Sequence, residues 1–470
     1  MGKGAIKNFI YNSIYQIIAI IIPLITMPYL TRVLGAEGMG NYSYAYSVAY
    51  YFSLFIKLGL NNYGTRTVAS VNREKKELSQ TFWGMYYFQL VLGGIFTILY
   101  FIYCYIWSEE KIYSYIFILL LISATIDITW FFQGIEEFKI IVPRDSFIKI
   151  LSMITIFVFV RSSNDVWIYT LIKSCEFFIC QLLTWKFLIK HISFIPVQKK
   201  EIIKHIKPNL IMFIPTIAIS IYKIMDKIML GAIANNIEVG YYHSAENIIQ
   251  VPMALVTALG TVMLPRVSNL LAISIEKDYL EKTFQKSIQI SMFMVSLLCF
   301  GMISISKQFI PVFYGDGFEK CVALYNILLP SCLFLAFANV IRTQFLIPQK
   351  WDKVFILSLF GGAGVNFTLN MLLIPHLQSI GAAVGTLVAE IIVCFIQVIA
   401  VWKVIPVKQS ALKSLPFICV GILMVIIFYD YEIQIYNAVS DLFIKILVCG
   451  IFYVVSIGVV YVFLRCTKKN

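Results

Sequence analysis

Charge is scarce in this chain: 13% of its 470 residues are Asp, Glu, Lys or Arg, against 60% hydrophobic and 15% aromatic, with a mean hydropathy of +0.82. Such a composition cannot cover a water-soluble surface. Histidine is rarer still, and His191, His205, His243 and His376 never cluster, which argues against a histidine metal centre or catalytic base. The ten cysteines lack the spacing of a disulfide framework or a zinc site and read as small packing residues. GxSxG, a Walker loop, HExxH and DxD-type acid pairs are all missing. Nothing therefore nominates a hydrolase or an ATPase, and neither a metal nor a cofactor is expected. Nor is a removable signal peptide evident, because the first apolar run is long, carries Pro23 and Pro28, and has no small-residue cleavage site. It reads as helix one.

What fills the chain instead is a series of fourteen mostly apolar stretches, from 6–32 to 442–464, with gaps too short for a soluble domain. A hydrocarbon core of about 30 Å needs roughly 20 apolar residues in a helix. The expected fold is all-α and polytopic. Alternate turns carry most of the basic residues, among them Arg66, Lys75 and Lys76, the run Lys186 to Lys207, Arg266, Lys350, Lys403 and Arg465, whereas the opposite side holds Arg32, Lys111, Arg161, Lys307 and Lys320. That asymmetry puts both termini in the cytoplasm. It also accounts for the net charge of +13, so nucleic acid is not expected as a partner, all the more because no aromatic-basic motif accompanies the charge.

Gly40-Asn-Tyr42-Ser-Tyr-Ala45 is echoed two hundred residues later by Gly240-Tyr-Tyr242-His-Ser-Ala245, and Arg66 by Arg266. Six helices per repeat is an even number, so both repeats enter the bilayer with the same orientation. The expectation is two pseudo-symmetric six-helix lobes, 1–190 and 209–402, joined by a cytoplasmic linker at 191–208 and followed by a two-helix appendix at 403–470. Pro23 and Pro28 in helix one and Pro215 in helix seven mark interrupted helices at matching positions, as ligand-facing transporter elements have, although membrane helices also simply tolerate proline.

Seven basic residues, Lys57, Lys149, Lys173, Lys223, Lys227, Arg342 and Lys445, fall inside the spans, with Asp127, Glu176, Asp226, Glu246 and Glu390. A basic residue at the bilayer centre costs about 2.5–3.5 kcal/mol on insertion scales, so such groups should face a partner or a cavity. Ser53, Lys57 and Asn61 share one helix face by their four-residue spacing, as do Tyr242, Glu246 and Gln250. With Asn12 and Gln16 on helix one and Asn366 and Asn370 on helix eleven, these stripes describe a hydrophilic lumen. Lys173 with Glu176 and Lys223 with Asp226 stand three apart and could instead neutralise one another. Lys149 and Lys445 are expected to snorkel to a membrane edge. Lys57 and Arg342 have no acid within a turn of their own helices, which makes them the leading contacts for an anionic substrate. The other candidate substrate contacts are Asn12, Gln16, Asn61, Lys223, Asp226, Lys227, Glu246 and Gln250, with Arg32, Arg66 and Arg266 as gate residues.

Asn12 through Gln16, Pro28-Tyr-Leu-Thr-Arg32-Val-Leu-Gly35-Ala36, Gly40-Asn-Tyr42-Ser, Gly59-Leu, Tyr222 through Asp226-Lys-Ile-Met-Leu-Gly231, Gly240-Tyr-Tyr242 and Pro265-Arg266 together resemble the Wzx-type oligosaccharide-lipid flippases of the multidrug/oligosaccharidyl-lipid/polysaccharide exporter superfamily. The resemblance runs over essentially the whole chain. It implies translocation of an undecaprenyl-diphosphate-linked oligosaccharide repeat unit across the bacterial cytoplasmic membrane by alternating access, without ATP, through a cationic cavity, for export of a surface polysaccharide. It also implies contact with membrane lipids and with a polysaccharide polymerase as neighbour, and leaves the energy source open among the membrane potential and a proton or sodium as coupling ion. Seven basic residues against five acidic ones in the spans is closer to balance than that cavity would suggest. Two alternatives stand beside it. A multidrug antiporter of the same superfamily would expose acids such as Asp127 and Glu176 to a cation, and a membrane-embedded polymerase would need a longer outside loop than 307–321.

Overall fold

The computed structural model describes residues 3–71, 74–272, 277–431, 433, 435 and 437–467, and the side chains of Asn12, Lys223 and Arg266 lie outside the described residues. Helices account for the fold and no strand occurs among the described residues. In a bilayer this follows from solvation, since an unpaired N–H or C=O has no water to bond and a helix satisfies both within one segment. Eleven described stretches are long and apolar enough to cross a membrane. The first runs over 14–71, where two spans are expected from sequence, and the charged residues Arg144, Asp145 and Lys149 lie within the helix Phe138–Phe159.

The chain forms two compact units, 1–231 and 232–470. Unit 1 begins with α1 (Lys3–Lys57), which holds Pro23 and Pro28 and breaks at Gly35, where φ 68 and ψ −178 suit a residue without Cβ. Then come α2 (Leu60–Val71), α3 (Lys75–Ile106), α4 (Lys111–Ile116), α5 (Ile118–Thr125), α6 (Thr129–Gly134), α7 (Phe138–Phe159), α8 (Val166–Leu188), α9 (Lys199–Ile203) and α10 (Ile206–Ile233). Phe82, Met85, Trp130, Phe131 and Phe132 form one apolar core cluster in it, joined by Leu188 and Ile192. A second cluster packs Phe213, with Ile206 and Ile217 of α10, against Leu54, Leu58 and Phe88. Gly59 makes that approach close: a Cβ there would stand within 3 Å of the Met212 and Phe213 backbone.

Unit 2 comprises α11 (Asn236–Ala272), α12 (Lys277–Tyr314), α13 (Lys320–Leu328), α14 (Ser331–Ile341), a π-helical turn (Arg342–Leu346), α15 (Asp352–Leu377), α16 (Ser379–Val401), α17 (Val407–Phe428) and α18 (Ala438–Thr467). Glu238 ties three of these together, accepting from Lys320 Nζ at 2.7 Å and from Ser379 Oγ at 2.5 Å. Tyr453 fixes the terminal helices by donating to Phe293 O and Phe417 O, each at 3.3 Å. The break between α10 and α11 falls at 234–235, two hundred residues after Gly35, in register with the expected repeat.

Three expectations need correction. Asn366 and Asn370 do not face a lumen: they are 1% and 0% exposed, bonded to each other at 3.2 Å, against Gly385 of α16. Their amides serve the tight α15–α16 seam, where a small residue admits them. Lys445 does not snorkel, because it sits fully buried on the packed face of α18. Helix two is not continuous either. Leu58, at φ 46, ends α1, so Asn61 starts from a new helix and shares no face with Ser53 and Lys57.

Candidate functional site

Asp127 occupies the gap between α5 and α6, where helix hydrogen bonds are interrupted inside an apolar stretch, Lys111–Gly134, long enough to cross a membrane. Side chains repair that gap: Gln89 Nε2 donates to Ala124 O at 2.7 Å and to Asp127 O at 2.9 Å, and Trp185 Nε1 donates to Ile126 O at 2.8 Å. The Asp127 carboxylate is held by the backbone N–H and hydroxyl of Thr129, at 2.9 and 2.6 Å, both on Oδ1. Its Oδ2 accepts from Lys57 Nζ, the last residue of α1. Lys57 thus finds its acid seventy residues away, on another helix. Asp127 is 2% exposed, so the carboxylate end of this pair is desolvated, while Lys57 keeps 27% of its side chain exposed.

A cavity of about 330 Å³ opens beside the pair. Lys57, Asp145, Lys149 and Glu176 bring charge to its wall, Gln133 and Gln181 bring carboxamides, and Tyr15, Phe138 and Phe177 bring rings. Most of the charge is compensated locally. Lys173 Nζ meets Glu176 at 2.5 Å, so that pair exists as the i, i+3 spacing allows. Arg144 donates to Asp145 Oδ1 through Nε at 2.9 Å and Nη2 at 2.7 Å, while Nη1 donates to Thr184. Lys149 differs. Its Nζ donates to the Tyr15 hydroxyl at 3.1 Å and stands 4.4 Å from the centre of that ring, with no carboxylate partner among the described residues. Rather than snorkelling to an edge, it points its charge into a cavity wall, where the tyrosine supplies both a lone pair and a π face.

The remaining sequence candidates are distributed unevenly. Arg342, on the π turn of unit 2, donates to Asn339 Oδ1 and lies 5.5 Å from the Phe355 ring centre, again without a carboxylate partner among the described residues. Gln16, Asn61 and Gln250 are exposed, Asp226 and Lys227 are buried, and Glu246 is half-buried. Tyr242 leaves the expected stripe with Glu246 and Gln250: it is buried, its hydroxyl 2.9 Å from Thr386 Oγ1 of α16. Of the gate residues, Arg32 and Arg66 are exposed, and Arg32 donates to Pro28 O at 2.7 Å.

Residue spacing alone missed Lys149 as a cavity cation and Gln133 and Gln181 as its polar wall. A signal was present for the first: Arg144, Asp145 and Lys149 crowd one apolar stretch, which is costly unless the helix faces something polar.

The model of a family described as "Polysaccharide biosynthesis protein" matches residues 5–271, more than half of the chain. A "Putative O-antigen transporter" of Escherichia coli (strain K12) is 23% identical over 397 residues, covering 82% of this chain and 94% of the relative. Another so described, from Shigella dysenteriae, is 23% identical over 388 residues, covering 81% and 95%. Among solved structures, the lipid II flippase MurJ in an inward closed conformation matches with a TM-score of 0.73 at 17% identity, covering 98% of this chain and all of that one. An outward-facing multidrug resistance MATE family transporter of the MOP superfamily matches at 0.56 and 11%, covering 87% and 96%. The structural matches show the fold alone, an all-helical, multi-pass arrangement like that of those two structures. Through its match over 5–271, the chain belongs to the polysaccharide biosynthesis protein family.

Proposed function

We propose that this protein is a flippase that carries an undecaprenyl-diphosphate-linked oligosaccharide across the bacterial cytoplasmic membrane by alternating access, with both termini cytoplasmic. The carrying observation is the cavity of unit 1, where Lys149 is presented without a carboxylate partner among the described residues. A diphosphate crossing about 30 Å of hydrocarbon must have its charge met along the way. Lys149 supplies one full positive charge there, and the ring and hydroxyl of Tyr15 hold it in place without cancelling it.

Lys57 is the second contact in this reading. An ammonium has three donors, and Asp127 stays anchored on Thr129 when Lys57 turns part of its charge to an incoming phosphate. Gln133 and Gln181 suit sugar hydroxyls, which need donors and acceptors side by side. Arg342 is the cation of unit 2 in this reading, and Arg66 and Arg266 are kept as its gate residues from their places in the sequence. The relatives named as transporters, and the flippase among the structural matches, support transport over catalysis. The energy in this proposal comes from the membrane potential or from a proton or sodium gradient. A drug antiporter fits less well: Asp127 and Glu176, the acids it would expose to a cation, each already hold a lysine.

The test is complementation of a strain that lacks its own O-antigen flippase, with surface polymer and inner-leaflet lipid-linked oligosaccharide both measured. Wild type should restore the polymer, while Lys149→Ala should leave the lipid-linked precursor to accumulate at normal protein abundance. Export by Lys149→Ala at the wild-type rate would overturn the site assignment. Failure of the wild-type chain with several different repeat units would overturn the function.

A further inference from the structure

Unit 2 contains a cavity of about 240 Å³ that differs in character from the first. Leu280 and Phe284 of α12, Phe345 of the π turn and Val404 beyond α16 give it apolar walls, and Gln344 and Glu281 add polar groups. Gln344 is only 5% exposed, yet neither its Nε2 nor its Oε1 has a hydrogen-bond partner among the described residues. A buried carboxamide left without partners is unfavourable, and native structures keep such groups rarely. It stands on the π-helical turn, closed by Ile347 N donating to Arg342 O at 3.0 Å, a conformation found mostly where function holds it. An apolar cavity with one unmet donor and one unmet acceptor is built to receive a ligand that is mostly apolar and hydrogen-bonds at one point.

The level of the cavity narrows the ligand further. Leu280 lies at the start of the apolar stretch Asp278–Tyr314, Gln344 near the end of Lys320–Leu346, and Val404 just past Ser379–Val401. Successive stretches cross in opposite directions, which places all three on one membrane face, at the depth where ester groups and phosphates of lipids reside. Lys350 and Lys403 adjoin the lining residues Gln349 and Val404 in sequence, and both are exposed, without a carboxylate partner among the described residues.

We infer that this cavity binds an anionic glycerophospholipid of the adjoining leaflet. Gln344 Nε2 donates to an ester carbonyl, Gln344 Oε1 accepts a hydroxyl from a phosphatidylglycerol-type head, and Lys350 and Lys403 meet the phosphate. A polyprenyl tail has no donor or acceptor and would leave Gln344 unmet. Phosphatidylcholine lacks both the net charge and the hydroxyl. The site is separate from the unit 1 cavity and needs nothing from the flippase reading.

The experiment uses the full chain, purified and delipidated in a neutral detergent, titrated with dioctanoyl phosphatidylglycerol or dioctanoyl phosphatidylcholine and followed by native mass spectrometry and thermal melting. Phosphatidylglycerol should bind at least about tenfold more tightly and raise the melting temperature, roughly one hydrogen bond's worth of discrimination. Gln344→Leu, which removes the unmet polar atoms and so should fold, should lose that preference, as should Gln344→Met. Lys350→Gln with Lys403→Gln should weaken binding and flatten its dependence on salt. Equal binding of the two lipids, or undiminished phosphatidylglycerol binding by both Gln344 variants, would overturn the inference. Displacement of phosphatidylglycerol by an added polyprenol would do so too, assigning the cavity to an isoprenoid tail.

Discussion

The ammonium of Lys149 on α7 sits against the ring of Tyr15 on α1, 4.4 Å from its centre and 3.1 Å from its hydroxyl oxygen. The two lie one hundred and thirty-four positions apart and meet only because α1 and α7 pack together within unit 1. A tyrosine steadies a lysine without neutralising it, whereas the neighbouring Asp127 and Glu176 neutralise Lys57 and Lys173, and Asp145 neutralises Arg144.

Tyr15→Phe should keep the π contact and lose the hydrogen bond, and Tyr15→Ala should lose both. Since a cation–π contact contributes about 0.5–2 kcal/mol, transport should fall about 2- to 30-fold in Tyr15→Ala and less in Tyr15→Phe. Lys149→Arg should retain part of the activity. Initial rates of lipid-linked oligosaccharide translocation into proteoliposomes check the order, and a Tyr15→Ala rate equal to wild type would show that Lys149 needs no such support.

Removing Lys57 strands the Asp127 carboxylate, which is 2% exposed, without its counter-charge. Lys57→Met should therefore destabilise the protein by about 3–5 kcal/mol, read as a lower melting temperature. The double variant Lys57→Met, Asp127→Leu should recover most of that loss yet fail to export polymer, because Lys57 is also a proposed substrate contact. Export by the double variant would make the pair purely structural.

Gly59 lies where α2 begins and α10 passes, with no room for a side chain. Gly59→Ala should cost about 1–3 kcal/mol through overpacking, and Gly59→Leu should reduce the amount of folded protein. Size-exclusion profiles of fluorescent-protein fusions in mild detergent give the measurement. A symmetric, wild-type peak for Gly59→Leu would contradict the close approach.

Topology is testable without purification. Reporter fusions near residue 200 and at residue 470 should both signal from the cytoplasm, as the concentration of basic residues on one set of turns requires. An extracytoplasmic signal at either site would reverse the orientation and with it the proposed direction of the gate.

Much of this protein is readable from residue order, because a bilayer imposes a simple rule. Long apolar stretches must be helices, while the bias of Lys and Arg and the echo of Gly40–Ala45 in Gly240–Ala245 supply an expected orientation and an expected repeat. Local spacing also revealed the Lys173–Glu176 pair, since i, i+3 neighbours share a helix face whatever the fold. Everything that depends on which helix meets which was decided by tertiary packing. Lys57 looked unpaired because its acid stands in a helix gap seventy residues on, and Asn366 and Asn370 looked lumen-facing because polar periodicity does not say whether a stripe meets water or a neighbouring helix. Lys149 was read as a snorkelling residue, and only the packing of α1 on α7 brings Tyr15 to it and turns a costly charge into the uncompensated cation of a cavity wall. The membrane constrains each helix by itself, which is why sequence determines the helices. Contacts between helices depend on shape and on distant partners, which is why the site does not appear until the chain is folded.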